Sequence, residues 1–312
     1  MVRGSYERQN MIYTITLNPA IDYSQRLESF SLGSTNRSSS ERYFAGGKGI
    51  NVSTILARLG ITSTATGFVG GFVGDFIVQA VKNENIIADF VSLESSISRI
   101  NIKLMGIEET EINGSGPLIS DSDINALIKK LRSLTQEDIV VLSGNAPKSL
   151  NSYNFIRLLE VITSKTSRFI LDISGKLLLD GLKFTPFLVK PNLSELSEAS
   201  GMYNLVTDES RILACKKMVS LGARNVLLSL GKEGALFYDT VGRVHRVEGI
   251  PGDLVSSVGS GDSLLAGFIY GLSKYDDIDT ALKLGNCCGA ATAFSNGLAS
   301  SMTIANVIAS SK

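Results

Sequence analysis

Phe187-Leu188-Val189-Lys190-Pro191-Asn192-Leu193-Ser194-Glu195 passes in one step from an apolar run to a polar turn. Three apolar residues are too few for a helix but enough for a short strand buried on both faces. Asn192 with Glu195 three positions on reads as a helix start of the capping-box kind. A strand that feeds a helix belongs to a sheet with crossover helices. In open sheets of that kind, residues just past the C-terminal strand ends line the ligand crevice. The alternation recurs on both sides of this stretch. Ile12 to Leu17, Ile139 to Leu142, Phe169 to Ile173 and Val226 to Leu230 read as further buried strands. Helical periodicity marks Ile50 to Leu59, with Val52, Ile55, Leu56 and Leu59 on one face and Gly60 ending it. Another helix starts at the capping cluster Ser120-Asp121-Ser122-Asp123 and runs to about Leu134, and a third follows Asp208. The expected fold is α/β: a mostly parallel sheet covered by helices on both faces.

Two segments, about 23–44 and 98–113, are polar, β-leaning and without helical periodicity. They are expected to be loops or the strands of a small β-sheet lid over the ligand side of one domain spanning residues 11–312. A lid suits a reaction that must exclude water. Met1 to Asn10 are polar and lack the apolar stretch of a signal peptide, so a disordered extension or a tag is expected there.

Composition narrows the function classes. In 312 residues, 30 basic and 30 acidic side chains cancel, which removes the basic field of a nucleic-acid binder. Three cysteines form neither a disulfide framework nor a zinc spacing, so a reducing, cytoplasmic setting is expected. The one histidine, His245, lies in what reads as a surface strand, which makes histidine-based nucleophilic machinery improbable. Asn286 to Ser311 carry no charge but are rich in Asn, Ser, Thr, Gly and Ala, and read as packed helices with no membrane span.

Chemistry concentrates in a few places. Ser257-Val258-Gly259-Ser260-Gly261-Asp262-Ser263 precedes an amphipathic helix marked by Leu265, Phe268, Ile269 and Leu272. A glycine turn at a helix N-terminus leaves amides bare for an anion, and Asp262 stands beside them. That pairing can hold charge on a moving phosphoryl group while the carboxylate takes a hydroxyl proton; an acid that merely complements the helix dipole is the simpler alternative. Gly46-Gly47-Lys48-Gly49-Ile50-Asn51 opens the Ile50 helix, where Lys48 and Asn51 can reach an oxygen-rich group. It is no Walker loop, and Leu264 occupies the third glycine position that a dinucleotide fingerprint would need. Asn192 and Glu195 can offer oxygens to magnesium or can simply cap a helix. Ser229-Leu230-Gly231-Lys232-Glu233-Gly234 can cradle a phosphate chain or form a plain glycine hairpin. Asp22 can bind sugar hydroxyls and Arg99 can grip a phosphate; each can equally be a solvated loop charge.

Together these motifs resemble the PfkB branch of the ribokinase-like sugar kinases. The residues that carry the likeness are Thr16-Leu17-Asn18-Pro19-Ala20-Ile21-Asp22, Gly46 to Val52, Lys190-Pro191-Asn192 with Glu195, and Gly259 to Ser263, in order from Met11 nearly to the C-terminus. Asn36-Arg37-Ser38-Ser39, Arg99-Ile100-Asn101-Ile102-Lys103 and Glu109 to Gly114 are most like the bacterial 1-phosphofructokinase branch. Ser260 stands where the family commonly has alanine. The resemblance implies Asp262 as base, with the amides of Gly259, Ser260, Gly261 and Asp262 as anion hole. It implies Asp22, Gly46, Gly47, Lys48, Asn51 and Arg99 on a phosphorylated ketohexose. Lys190, Asn192, Gly261 and Ser229 to Gly234 (Ser229, Leu230, Gly231, Lys232, Glu233, Gly234) would lie on ATP, with magnesium at Asn192 and Glu195. It also implies a ribokinase-like, Rossmann-like core with a small β-sheet lid, and a homodimer formed lid to lid. The acceptor expected is fructose 1-phosphate, with tagatose 6-phosphate and fructose 6-phosphate as alternatives. A non-catalytic sugar-phosphate sensor on the same fold is the alternative from another class. A nicotinamide-dependent oxidoreductase is disfavoured by the missing third glycine.

Overall fold

The computed structural model describes residues 10–106 and 110–311. Residues 1–9 of the expected leading extension and Glu109 of the Glu109 to Gly114 segment lie outside them. The chain runs β1 (Ile12–Thr16), β2 (Ala20–Arg26), β3 (Ser40–Gly46), α1 (Lys48–Arg58), β4 (Ser63–Gly70), α2 (Gly71–Asn83), β5 (Ile87–Ala88), β6 (Val91–Leu93), β7 (Arg99–Met105) and β8 (Thr110–Asn113). It continues through α3 (Asp121–Leu131), β9 (Ile139–Ser143), α4 (Ser152–Lys165), β10 (Phe169–Asp172), α5 (Gly175–Leu182), β11 (Leu188–Val189), α6 (Leu193–Ser200) and α7 (Asp208–Ser220). The last elements are β12 (Asn225–Ser229), β13 (Ala235–Asp239), β14 (Val244–Val247), α8 (Ser260–Tyr275), α9 (Ile278–Ala293) and α10 (Ser301–Ser310).

The large sheet has the order β14-β13-β12-β11-β10-β9-β1-β4-β5. It is parallel from β12 to β5 and gains an antiparallel edge from β13 and β14. β1 pairs with β4 on one side and β9 on the other, so the order reverses beside β1 and opens a crevice at the C-terminal strand ends. All five strands expected from apolar runs are in this sheet. Others were not expected: β5, β6, β13 and above all β4, in which every residue, Ser63-Thr64-Ala65-Thr66-Gly67-Phe68-Val69-Gly70, is buried. Its small hydroxylated residues look like a loop, yet Ser63 Oγ donates to Ser53 Oγ at 2.8 Å and Thr66 Oγ1 to Asp89 O at 2.7 Å. A hydroxyl satisfied in this way can be buried at little cost.

The faces of the sheet are covered by different helices. One core joins Leu127, Phe155, Leu178 and Met218 from α3, α4, α5 and α7. The opposite core joins Val52, Ile55 and Leu56 of α1 to Leu265, Phe268 and Ile269 of α8 and to Ala281, Leu282 and Cys288 of α9. Phe268 stacks on Phe237 with ring centroids 5.4 Å apart. Truncating such a ring to alanine costs about 3–5 kcal/mol. This packing fixes where α8 begins, and α8 carries Asp262. Among the described residues no helix is long and apolar enough to cross a membrane.

The two polar segments form a separate sheet, β3-β2-β7-β8. Its registers place Asp22 beside Asn101, Asn101 opposite Asn113 and Lys103 opposite Glu111. Alternation along β7 therefore puts Arg99, Asn101 and Lys103 on the face toward the crevice, and Ile100 and Ile102 on the other.

Candidate active site

The crevice is a cleft of about 560 Å³, within the usual range for small-molecule sites. Its floor is built from strand ends of the large sheet and from the N-termini of α1 and α8; one wall is the small sheet.

At the floor, the N-cap of α8 is Gly259, whose φ of 78° a side chain would strain. This turn aims the start of the helix into the cleft. The N–H groups of Gly259, Gly261 and Asp262 meet no acceptor among the described residues. The Ser260 N–H is different: it donates back to Ser257 O at 3.3 Å, so the expected four-amide anion hole reduces to three. Asp262 is 6 % exposed, and its Oδ2 accepts a hydrogen bond from Asn51 Nδ2 at 2.7 Å. Burial and the nearby Asp172 carboxylate push its pKa up to about 6, against the opposing pull of Lys190, Lys48 and the Asn51 bond. Asp262 is thus charged at neutral pH yet a stronger base than an ordinary aspartate.

Two lysines share one buried acid beside it. Lys48 Nζ lies 3.1 Å, and Lys190 Nζ 3.3 Å, from Asp172 Oδ1. Burial would raise the Asp172 pKa, but the two ammonium groups outweigh it and hold it low. Burial likewise would lower Lys48, and Asp172, Glu195 and Asp262 together hold it above its ordinary value. A Cβ on Gly261 would stand 3.3 Å from Lys190 Nζ, which puts that ammonium against the α8 turn. Asp172 was missed in the sequence. The signal was present: it is an acid at the C-terminal end of an expected buried strand, the rule that singled out Lys190.

Lys48 therefore does not sit as a free sugar clamp. Its ammonium also lies 3.6 Å from Glu195 Oε1, on the side of the Lys190 turn. Asn192 and Glu195 form the complete capping box of α6: Asn192 Oδ1 accepts from the Glu195 N–H and Glu195 Oε2 from the Asn192 N–H, both at 2.9 Å. Capping does not remove them from the site, since both residues line the cleft. Among the described residues no cluster of three His, Cys, Asp or Glu forms a metal cage. One carboxylate and one amide fit a magnesium ion that keeps its waters and takes its other oxygens from phosphates.

The Ser229 to Gly234 stretch divides. Ser229 and Gly231 line the cleft. Leu230 does not: its side chain is buried in the core. Glu233 turns back to Arg211, with its Oε2 2.8 Å from Nη1. Gly234 is buried beneath the backbone of Val247 and Glu248. Lys232 is exposed and does not line the cleft.

On the small-sheet wall, Asp22 Oδ1 accepts from Asn101 Nδ2 at 2.8 Å, and Lys103 Nζ lies 3.9 Å from Asp22 Oδ2. Gly46 is the reason Asp22 fits: a Cβ there would meet Asp22 Oδ2 at 2.4 Å. Gly46 itself does not line the cleft, whereas Gly47 does. Arg99 donates from Nε to Asn18 O at 3.2 Å and from Nη1 to Gly114 O at 3.3 Å, which orients its guanidinium. Burial lowers its pKa, with Asp22 opposing. Asn18 Oδ1 and Asn101 Oδ1 at this wall, and Thr16 Oγ1, Ser143 Oγ and Asp172 Oδ2 at the strand ends of the floor, are buried without a hydrogen-bond partner. An unmet buried oxygen costs free energy until something donates to it. Sequence reasoning passed over Asn18, Asn101 and Lys103, although the period of two in Arg99-Ile100-Asn101-Ile102-Lys103 aligns the last two with Arg99.

Residues 7–305 match the pfkB family of carbohydrate kinases. The chain is 44 % identical over 288 residues to "1-phosphofructokinase" of Bacillus subtilis, covering 92 % of this chain and 94 % of that protein. It is 37 % identical over 288 residues to "D-tagatose-1-phosphate kinase" of Bacillus licheniformis, with the same coverage of 92 % and 94 %. Among solved structures it superposes on phosphofructokinase-2 from Escherichia coli in complex with fructose-6-phosphate with a TM-score of 0.88, at 25 % identity, covering 96 % and 99 % of the two chains. Ribokinase from Arabidopsis thaliana, 18 % identical with a TM-score of 0.78 over 96 % and 98 % of the chains, shares the fold.

Proposed function

The chain belongs to the pfkB family of carbohydrate kinases, phosphotransferases with an alcohol acceptor, and on that premise we propose that it transfers the γ-phosphoryl group of ATP to the C6 hydroxyl of fructose 1-phosphate, giving fructose 1,6-bisphosphate. The observation that carries the chemistry is the placement of Asp262: buried, held by Asn51, raised to about 6 and set beside three bare amides. In this reading Asp262 takes the C6 hydroxyl proton as the oxygen attacks phosphorus in line. The amides of Gly259, Gly261 and Asp262, with Lys190 and Lys48, hold the charge that develops on the phosphoryl oxygens. Asn192 and Glu195 would hold magnesium through water, and magnesium when bound neutralises charge on the phosphate chain. Ser229 and Gly231 border the same end of the cleft and would take the nucleotide.

The choice of sugar rests on the small-sheet wall and on the relatives. Arg99 and Lys103 supply positive charge for a phosphate already on the sugar, and Asp22, Asn18 and Asn101 supply acceptors for hydroxyls. D-Tagatose 1-phosphate is the second reading. It also presents a C6 hydroxyl and a C1 phosphate, differs from the fructose ester in configuration at C4, and gives the relative at 37 % identity its name. The decisive experiment measures ADP release from Mg-ATP with fructose 1-phosphate, tagatose 1-phosphate, fructose 6-phosphate, tagatose 6-phosphate and unphosphorylated fructose at equal concentration. Highest kcat/KM with fructose 1-phosphate is expected. Preference for a tagatose ester would keep the mechanism and change the acceptor; no turnover with any of the five would favour a sensor.

Two further parts of the proposal concern setting and assembly. The three cysteines are buried free thiols, which supports a reducing, cytoplasmic environment. The face of the small sheet turned away from the cleft exposes Tyr43, Ile100 and Ile112, at 64 %, 39 % and 55 %. An apolar face of that kind supports a dimer formed sheet to sheet.

A further inference from the structure

Behind the Gly231–Glu233 turn lies a second cluster of charge that takes no part in the chemistry above. Arg211, on α7, is only 5 % exposed. Its Nε donates to Leu205 O at 3.2 Å and its Nη1 to Asp208 Oδ1 at 2.9 Å. The same guanidinium grips Glu233 with both nitrogens, Nη1 to Oε2 at 2.8 Å and Nη2 to Oε1 at 3.2 Å. Arg246, on β14, completes the clamp by donating from Nη1 to Glu233 O at 2.8 Å. A buried guanidinium is costly unless every donor is used, and a leucine of similar volume could fill the space with less penalty. What an apolar side chain could not do is hold Glu233 by a two-pronged bond, which fixes both distance and orientation.

The opposite end of this turn faces the cleft. Gly231 lines the cleft while Glu233, two residues on, is the part that is held. Gly231 opens the three-residue turn and Gly234 follows it, both with positive φ, 58° and 95°; the Leu230 N–H to Gly234 O bond at 2.9 Å closes the turn, and the Arg211 grip on Glu233 is the side-chain contact that orients it. We propose that Arg211 is a positioning residue: through Glu233 it sets the place of the Gly231 backbone at the nucleotide end of the cleft, and thereby the affinity for ATP. The inference rests on the kinase reading given above.

Steady-state kinetics of the full chain test it with Glu233→Gln, Arg211→Lys and the double variant. Glu233→Gln alters the exposed end of the pair and leaves the buried guanidinium with Asp208, so it is the variant least prone to misfold. Each single variant is expected to raise KM for ATP about three- to tenfold, with KM for the sugar phosphate and kcat changed less than about twofold. The double variant should be no worse than the worse single one, because both remove one interaction. An unmoved ATP KM, additive effects, or both KM values rising together with a lower melting temperature would overturn the inference and leave Arg211 a structural residue. A wild-type chain that releases no ADP with any ketohexose phosphate would remove the kinase reading and this inference with it, which separates the two failures.

Discussion

The floor and the small-sheet wall of the cleft differ in emphasis, the floor being dominated by a buried charge network and the wall by neutral amides beside two cations. At the floor, charges meet charges: Asp172 holds Lys48 and Lys190, and Asn51 holds Asp262. At the wall, Lys103 lies between Asp22 and Glu111, but the neutral oxygens of Asn18 and Asn101 meet nothing; at the floor the unmet atoms are Thr16 Oγ1, Ser143 Oγ and the second oxygen of Asp172. The floor is organised before any ligand arrives, as stabilisation of developing charge requires. The wall is left for the sugar to complete, so that a wrongly shaped sugar would leave buried oxygens unmet and bind worse. Chemistry should thus reside in the floor and specificity in the wall.

Substitutions on the two sides should therefore separate kcat from KM. The largest expected effect is at the floor. Asp262→Asn should lower kcat by about 10²–10⁴-fold, the range for loss of a general base, with KM for the sugar phosphate nearly unchanged. Retained turnover would remove Asp262 as base. The same variant should unfold at a higher temperature at pH 7, by on the order of a few degrees. The sign follows from the raised pKa of about 6: the folded state binds this proton more tightly than the unfolded chain. The charged Asp262 therefore costs stability fully above about 6, and the cost vanishes below the ordinary aspartate range.

At the wall, Arg99→Ala and Lys103→Met should each raise KM for the sugar phosphate by about 10- to 100-fold, the loss of a charge-assisted hydrogen bond, with KM for ATP little moved. Equal rises in both KM values would erase the division of labour. A smaller effect should appear in the pH profile. The acid limb of kcat/KM should titrate near pH 6, and Asn51→Ala should move it upward, because the Asn51 hydrogen bond favours the charged carboxylate. A limb near pH 4 would detach the profile from Asp262. The smallest kinetic effect belongs to the outer face of the wall. Ile112→Glu should halve the mass in solution by placing a charge in the proposed dimer interface, leaving kcat within about twofold; an unchanged mass would place the interface elsewhere.

How far the sequence spoke depended on the range of the interaction. Local patterns gave the strands around Ile12, Ile139, Phe169, Leu188 and Val226, because a strand buried on both faces must be apolar throughout. Of the strands that escaped this reading, β4 is the longest, and its Ser and Thr residues are buried because Ser53 and Asp89 O lie within reach in space. The glycine turn at Gly259 announced itself for the same local reason: bare amides follow from the start of any helix. The sequence by itself also determined the lack of net charge, the thiols without a framework, and the motif order that points to a sugar kinase.

Other features required the tertiary structure. It divided Ser229 to Gly234 into residues that line the cleft and residues that brace the turn, since a hairpin's two faces look alike in one dimension. It drew Lys48 to Asp172 and Glu195, 124 and 147 positions away in the chain. It also raised Asp262 toward neutrality, because that shift comes from desolvation and from a carboxylate 90 positions distant. Residue type and spacing declare which groups are available for chemistry; burial and long-range neighbours decide their charge and what each one touches.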